Sequence, residues 1–149
     1  MGFDHGADGD RVVVVGVDGS DASWRATAYA VGLARRQEAR LVAVHVLPVH
    51  TVAMLAGVSW MLADTDQEAA RAMRRRISAG LACMAELGVL RWEFCVVVAG
   101  DPVAGLSRVA AERRADMLVV GASRRWHRLT GSVGARLLRA NRWPVLVVP

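Results

Sequence analysis

Short apolar runs alternate with longer amphipathic stretches along this chain. Four of the five runs consist largely of consecutive Val and Leu residues instead of an apolar–polar alternation. A strand of that composition has no face suited to water, which indicates a sheet covered on both sides. Alternation of strands and helices adds right-handed crossovers between parallel strands. The predicted strands are residues 11–17, 40–47, 90–98, 116–121 and 144–148.

Four helical patterns separate these strands, and each starts at a residue that caps helices well. In the first helix, helical spacing places Trp24, Ala28, Val31 and Ala34 or Arg35 near one stripe. The pattern as a whole predicts an α/β three-layer sandwich around a five-stranded parallel sheet, and chain order is compatible with the strand order 3-2-1-4-5. The predicted helix starts are Ser20 or Asp21, Asp64 or Thr65, Asp101–Pro102, and Gly131–Ser132.

Two segments fall outside this alternation. Residues 1–10 carry three Asp, three Gly and one His, and we expect a disordered tail ahead of a single domain at 11–149. Residues 48–62 are mostly apolar but too short to span a bilayer. We expect them to pack against their own domain, with a lid or a partner surface as the alternatives.

The composition narrows the classes of function. The net charge is +5, and all 19 cationic residues are Arg, so a P-loop lysine is absent. Abundant Ala, Val, Gly and Arg point to coding bias more than to nucleic-acid binding. The four His and two Cys lack metal-ligand spacing. Cys83 and Cys95 are therefore expected to be buried reduced thiols in a cytoplasmic protein.

Candidate chemistry follows the first and fourth strands. With the order 3-2-1-4-5, the strand order reverses between these two strands, and ligands bind outside the carboxyl ends there. Asp18, in the triplet Asp18-Gly19-Ser20, can accept hydrogen bonds from a ribose or an amino group, or it can form a turn. Gly121 lets a ligand approach the backbone. Ser132 stands at a helix start, where N–H groups and the helix dipole favour an anion.

Four long stretches of the chain read VVVVGVDGSDASWRATAYAVGLARR, ARLVAVHVLPV, VVAGDPVAGLSRVAAERRADMLVVGASR and GSVGARLLRANRWPVLVVP. Together they resemble the universal stress protein family. This resemblance implies a Rossmann-like fold of the adenine nucleotide alpha hydrolase type and, in nucleotide-binding members, an ATP site. It assigns Asp18, Val46 and Gly100 to the adenine and ribose side. It assigns Gly121, Gly131, Ser132 and Val133 to the phosphate side.

One loop departs from the family pattern, which is Gly, two residues, Gly, nine residues, then Gly-Ser or Gly-Thr. The second glycine is replaced by Arg124, which follows Ser123. Gly134 has the nominal spacing, but Gly131 keeps the expected 13-residue offset to Pro144 and is followed by Ser132, so the loop is three residues short. Arg side chains could grip phosphate in place of backbone donors, or they could fill its space.

The resemblance favours a small cytoplasmic nucleotide-binding regulator of stress responses, without efficient enzymatic activity. ATP is the expected ligand, and Mg²⁺ is expected only together with ATP. The alternative is a ligand-free dimeric interaction module; nucleic-acid binding through the Arg-Trp loop is a weaker third reading. No membrane contact is expected. An unprotected final edge strand predicts a homodimer. The residues of that strand are Val145, Leu146, Val147 and Val148.

Overall fold

Alternating strands and helices make up the chain, as the hydrophobic pattern predicts. The computed structural model describes residues 9–49, 63–86, 91–122 and 132–149. Most of the tail predicted at residues 1–10 lies outside the described residues, and so does most of segment 48–62. The elements are β1 (Val12–Gly16), α1 (Asp21–Arg36), β2 (Arg40–Pro48), α2 (Ala63–Ala85), β3 (Trp92–Ala99), α3 (Pro102–Glu112), β4 (Met117–Gly121), α4 (Val133–Ala140) and β5 (Val145–Val148).

The five strands form one parallel sheet in the order β3-β2-β1-β4-β5. This confirms the predicted fold class and strand order. The central strand β1 lies between β2 and β4, with Val14 opposite Val42 on one side and Leu118 on the other. The order reverses between β1 and β4, so a crevice opens outside their carboxyl ends.

Both faces of the sheet are covered by helices. Alternate residues of β1 point to opposite faces, so Val13 packs with residues of α1 and α2, and Val14 packs with residues of α3 and α4. All four residues Val12 to Val15 are at most 2% exposed. Consecutive valines thus mark a strand buried on both faces, as expected from the sequence.

Three of the four helices begin at the capping residues that the sequence predicts. Ser20 accepts a hydrogen bond from Ser23 N, and Asp101 accepts one from Ala104 N. Ser132 does the same with Ala135 N at the start of α4. Each cap satisfies a backbone N–H that the first helical turn leaves without a partner.

Two expectations about side chains are wrong. Ala28 of the predicted stripe is exposed, whereas Val31 and Ala34 are buried, because the face of α1 that packs on the sheet runs through Ala26 and Ala30 instead. Cys83 is exposed and Cys95 is only half-buried, although both were expected in the core. No helix in the described part of the chain is long and apolar enough to cross a membrane.

Candidate functional site

A cavity of about 180 Å³ opens at the carboxyl ends of β1, β2 and β4. It therefore occupies the crevice that the strand order predicts. Most of its wall is apolar, and polar side chains enter it from the loop after β1 and from β2. The described residues that line it are Gly16, Val17, Asp18, Ser20, Ser23, Val44, His45, Val46, Pro48, Pro102, Leu106, Val120, Gly121 and Val133.

The loop from Asp18 to Ser23 is held by a compact set of hydrogen bonds. Ser20 N donates to Asp18 Oδ1 at 2.9 Å, and Asp18 N donates to Ser23 Oγ at 3.3 Å. Gly19 has a φ of +82°, a conformation that glycine adopts at low cost, and a Cβ there would lie only 2.9 Å from Met73 Sδ of α2. Asp18 therefore forms the turn considered from the sequence and also lines the cavity.

The carboxyl group of Asp18 ionises easily although it is partly buried. Burial opposes ionisation, but hydrogen bonds from the side chain and backbone of Ser20 and from the side chain of Ser23 lower its pKa below the ordinary value of 3.8. The charge of His45 acts in the same direction. The cavity thus contains a carboxylate at neutral pH, which is suited to accept hydrogen bonds from hydroxyl or amino groups.

Gly121 is required for a contact within the fold and also lines the cavity. A Cβ on Gly121 would lie 2.5 Å from the carbonyl carbon and oxygen of Ala22 and 2.8 Å from Ser23 N. The first turn of α1 therefore rests directly against the end of β4. The sequence suggested ligand approach as the reason for this glycine, and the structure adds close helix packing.

The start of α4 supplies the other wall of the cavity. Val133 lines it, and Ser132 Oγ accepts a hydrogen bond from Ala135 N at 3.1 Å. Gly134 lies inside α4, where a Cβ would meet Val147 Cγ2 at 2.7 Å. The helix thus starts at Ser132 and not after Gly134, which agrees with the choice of Gly131–Ser132 made from the offset to Pro144.

Comparison with known proteins decides the family. A model of the universal stress protein family matches residues 11–149. The chain belongs to this family. Universal stress protein Rv1636 of Mycobacterium tuberculosis is 33% identical over 148 residues, which cover 93% of this chain and 95% of that protein. Universal stress protein MJ0531 of Methanocaldococcus jannaschii is 28% identical over 150 residues, with coverages of 93% and 81%.

Solved structures of universal stress proteins share the fold. One, a universal stress protein crystallised in complex with cAMP, is 29% identical and superposes with a TM-score of 0.67. The match covers 95% of this chain and 98% of that chain. The shared fold therefore spans nearly the whole chain.

The structure brings together most of the described residues that the family resemblance implies. Gly19 and Ser132 directly adjoin residues of the cavity wall, whereas Gly100 is exposed and is not among the lining residues. Ser123, Arg124 and Gly131 lie outside the described residues. The predicted site residues that line the cavity are Asp18, Ser20, Val46, Gly121 and Val133.

Two polar residues of the wall were not predicted as site residues. A histidine inside a predicted strand is most simply interpreted as a core residue, yet His45 is half-buried and lines the cavity. Ser23 was assigned no role, although it lies one helical turn after the cap Ser20. The position of His45, next to Val46 at the end of β2, was the signal that could have identified it. In the part of the chain that the structure describes, no three His, Cys, Asp or Glu residues are grouped as metal ligands would be.

Proposed function

We propose that this universal stress protein binds an adenine nucleotide in the cavity between the ends of β1 and β4 and acts as a cytoplasmic, non-enzymatic regulator of a stress response. The observation that carries this assignment is the convergence of Asp18, Val46, Gly121 and Val133 on one cavity. A relative of 29% identity was crystallised with cAMP. ATP is one candidate ligand, and Mg²⁺ would accompany it.

The size of the cavity supports binding of part of a nucleotide, with its phosphate outside. Pockets that enclose drug-sized ligands measure about 300–1,000 Å³, whereas this cavity measures about 180 Å³. That volume suits a base or a ribose more than a complete nucleotide. The phosphate would then lie toward Ser132, where the N–H groups of the first turn of α4 and the helix dipole favour an anion.

Calorimetry with cAMP, AMP and ATP tests this assignment. The wild-type protein should bind at least one of these ligands, and saturation at about 100 times the Kd should stabilise it by about 2.7 kcal/mol. Asp18→Asn keeps a side chain that can accept from Ser20 N but removes the charge. We expect it to weaken binding about tenfold, because hydrogen bonds to a charged acceptor are the stronger kind.

Asp21→Asn is the matched control, because it makes the same change three residues later on an exposed helix position outside the described cavity wall. Its affinity should stay within about twofold of the wild type. Absence of binding by the wild-type protein at millimolar concentrations of all three nucleotides would overturn the proposed function.

We also propose that two copies associate through β5. This strand forms one edge of the sheet. The carbonyls of Pro144 and Val148 accept hydrogen bonds, at 2.9 and 2.7 Å, from N–H groups in and just after β4. Since neighbouring residues of a strand direct these groups to opposite sides, the N–H groups of Val145 and Val147 point to the free edge. Such an apolar edge favours pairing with another strand.

Light scattering on Val147→Pro tests the dimer. Proline removes an outward N–H and is tolerated on edge strands, so this variant should be a folded monomer while the wild type is a dimer. Leu146→Pro removes an N–H that faces β4 and should instead lower thermal stability. A monomeric wild-type protein at all concentrations would contradict the assignment.

A further inference from the structure

The peptide group between Val17 and Asp18 is held at both ends by side chains of the cavity wall. His45 Nδ1 lies 2.7 Å from the carbonyl oxygen of Val17. On the other side of the same peptide plane, Asp18 N donates to Ser23 Oγ at 3.3 Å. His45 and Ser23 thus fix the orientation of the backbone immediately before the Asp18 side chain.

The contact of His45 extends the pairing of β1 and β2 beyond the last paired residues. The described ladder between these strands ends with Gly16 opposite Val44. Val17 N then donates to Val44 O at 2.8 Å, and the Val17 carbonyl bonds to the next residue of β2 through its side chain. His45 therefore does for the Val17 carbonyl what a backbone N–H does inside the sheet.

The geometry also determines which nitrogen of His45 carries a proton. A carbonyl oxygen can only accept a hydrogen bond, so Nδ1 must be the donor. In the neutral ring, Nε2 is then the unprotonated nitrogen. A donor at the Nδ1 position is thus the feature of His45 on which the contact depends.

We propose that His45 is a positioning residue of the nucleotide site: through its Nδ1–H bond to Val17 it holds Asp18 in the orientation that binds the nucleoside part of the ligand. This role rests on the proposed function. It goes further because it attributes the orientation of the Asp18 side chain to a residue on the neighbouring strand. Placement by a fixed hydrogen bond matters because a small displacement of an acceptor weakens its bond to the ligand.

Three substitutions of His45 test which part of the ring is needed. His45→Asn places an amide N–H close to the position of Nδ1, His45→Gln places its amide near Nε2, and His45→Leu has neither. With AMP or cAMP as the probe, the Asn variant should bind within about twofold of the wild type. The Gln and Leu variants should bind about five- to tenfold more weakly. Equal weakening in Asn and Leu, or no weakening in any variant, would overturn the positioning role.

A double substitution shows whether His45 acts through Asp18. Asp18→Asn removes the carboxylate charge that His45 is proposed to position. In that background, adding His45→Leu should therefore change the affinity less than twofold. A full five- to tenfold loss in that background would mean that His45 contacts the ligand itself or supports the fold generally, and it would refute the proposal.

Nuclear magnetic resonance of the wild-type protein gives a readout that needs no ligand. The ¹⁵N spectrum of the His45 ring should show a proton on Nδ1; a neutral ring protonated on Nε2 alone would refute the proposal. Nucleotide binding and the role of His45 can be refuted separately. A wild-type protein that binds no nucleotide refutes the proposed function, whereas a wild type that binds while all three His45 variants bind equally well refutes only the role of His45.

Discussion

The guanidinium of Arg136 holds the carboxylate of Asp101, with 2.6 Å between Nη2 and Oδ2. Arg136 lies in the first half of α4, and Asp101 is the residue that caps α3. Their neighbours Val133 and Pro102 line the cavity. This ion pair therefore fixes the spacing between two helix starts that form one wall of the site.

Stability should depend on pH through Asp101. Burial opposes its ionisation, but hydrogen bonds from Arg136 and from Ala104 N outweigh it and lower its pKa below 3.8. A lowered pKa in the folded state gives stability that is present above 3.8 and is lost as the pH falls through the folded-state value. Urea unfolding should therefore show that the advantage of the wild type over Asp101→Asn shrinks below that pH.

The same substitution in an Arg136→Met background provides the control. Asn still caps the helix, so only the charge interaction differs between the two backgrounds. In the Arg136→Met background, the pH-dependent stability difference between Asp101 and its Asn variant should be mostly absent. The coupling free energy should be below about 1 kcal/mol, because both side chains remain about one-third exposed. An advantage that stays constant over the acidic range would contradict the assignment.

Gly121→Ala should lower the free energy of unfolding by about 2–3 kcal/mol, because the added Cβ meets the rigid backbone of Ala22. Gly100→Ala is a matched control at the end of another strand. No described atom lies within 4 Å of its Cβ position, so its effect should stay within about 0.5 kcal/mol. Equal effects in urea unfolding would show that α1 can move away from β4.

The effect of Gly80→Ala on stability should depend on the residue at position 24. In the wild type, the new Cβ would lie 2.6 Å from Cη2 of Trp24, so the substitution should be destabilising. In a Trp24→Leu background the clash is gone, and the better helix propensity of Ala should stabilise α2 by about 0.5–1 kcal/mol. Thermal unfolding of the four proteins gives both values; the same sign in both backgrounds would disprove the contact.

Ser132 allows the stability of α4 to be separated from phosphate binding. Ser132→Ala should cost about 1 kcal/mol of stability, since the N-cap is lost. Ser132→Asp keeps a cap and interacts well with the helix dipole, so its stability should stay close to wild type, while its negative charge repels a phosphate. Calorimetry should show AMP binding weakened most in the Asp variant and adenosine binding little changed. Undiminished AMP binding by Ser132→Asp would place the phosphate elsewhere.

The sheet and the helix starts could be predicted because their signals are local. Runs of Val mark β1, and Ser20, Asp101 and Ser132 each bond to the helix that they begin. The buried face of α1 was predicted only in part, because the stripe through Trp24 and Ala28 misses the face that contains Ala26 and Ala30. In the structure, the first turn of α1 packs closely against Gly121 of β4, and Trp24 packs against Gly80 of α2.

Other features of the site depend on residues that are far apart in the sequence, so they could not be predicted from local patterns. The bond of His45 requires the Val17 carbonyl, 28 positions away, to end just beside it. The pairing of Asp101 with Arg136 requires two crossovers to bring α3 and α4 to the same face of the sheet. Both contacts depend on how distant segments of the chain meet in the folded sheet.

Leu106 belongs both to the hydrophobic core and to the cavity wall. It is 2% exposed, packs among residues of β1 and β4, and lines the cavity. A molecule in the cavity would thus rest directly on side chains of the core, with no flexible layer between. Occupancy should then appear as slower hydrogen exchange in the central strands, so that the protein would report its ligand by becoming stiffer without changing shape.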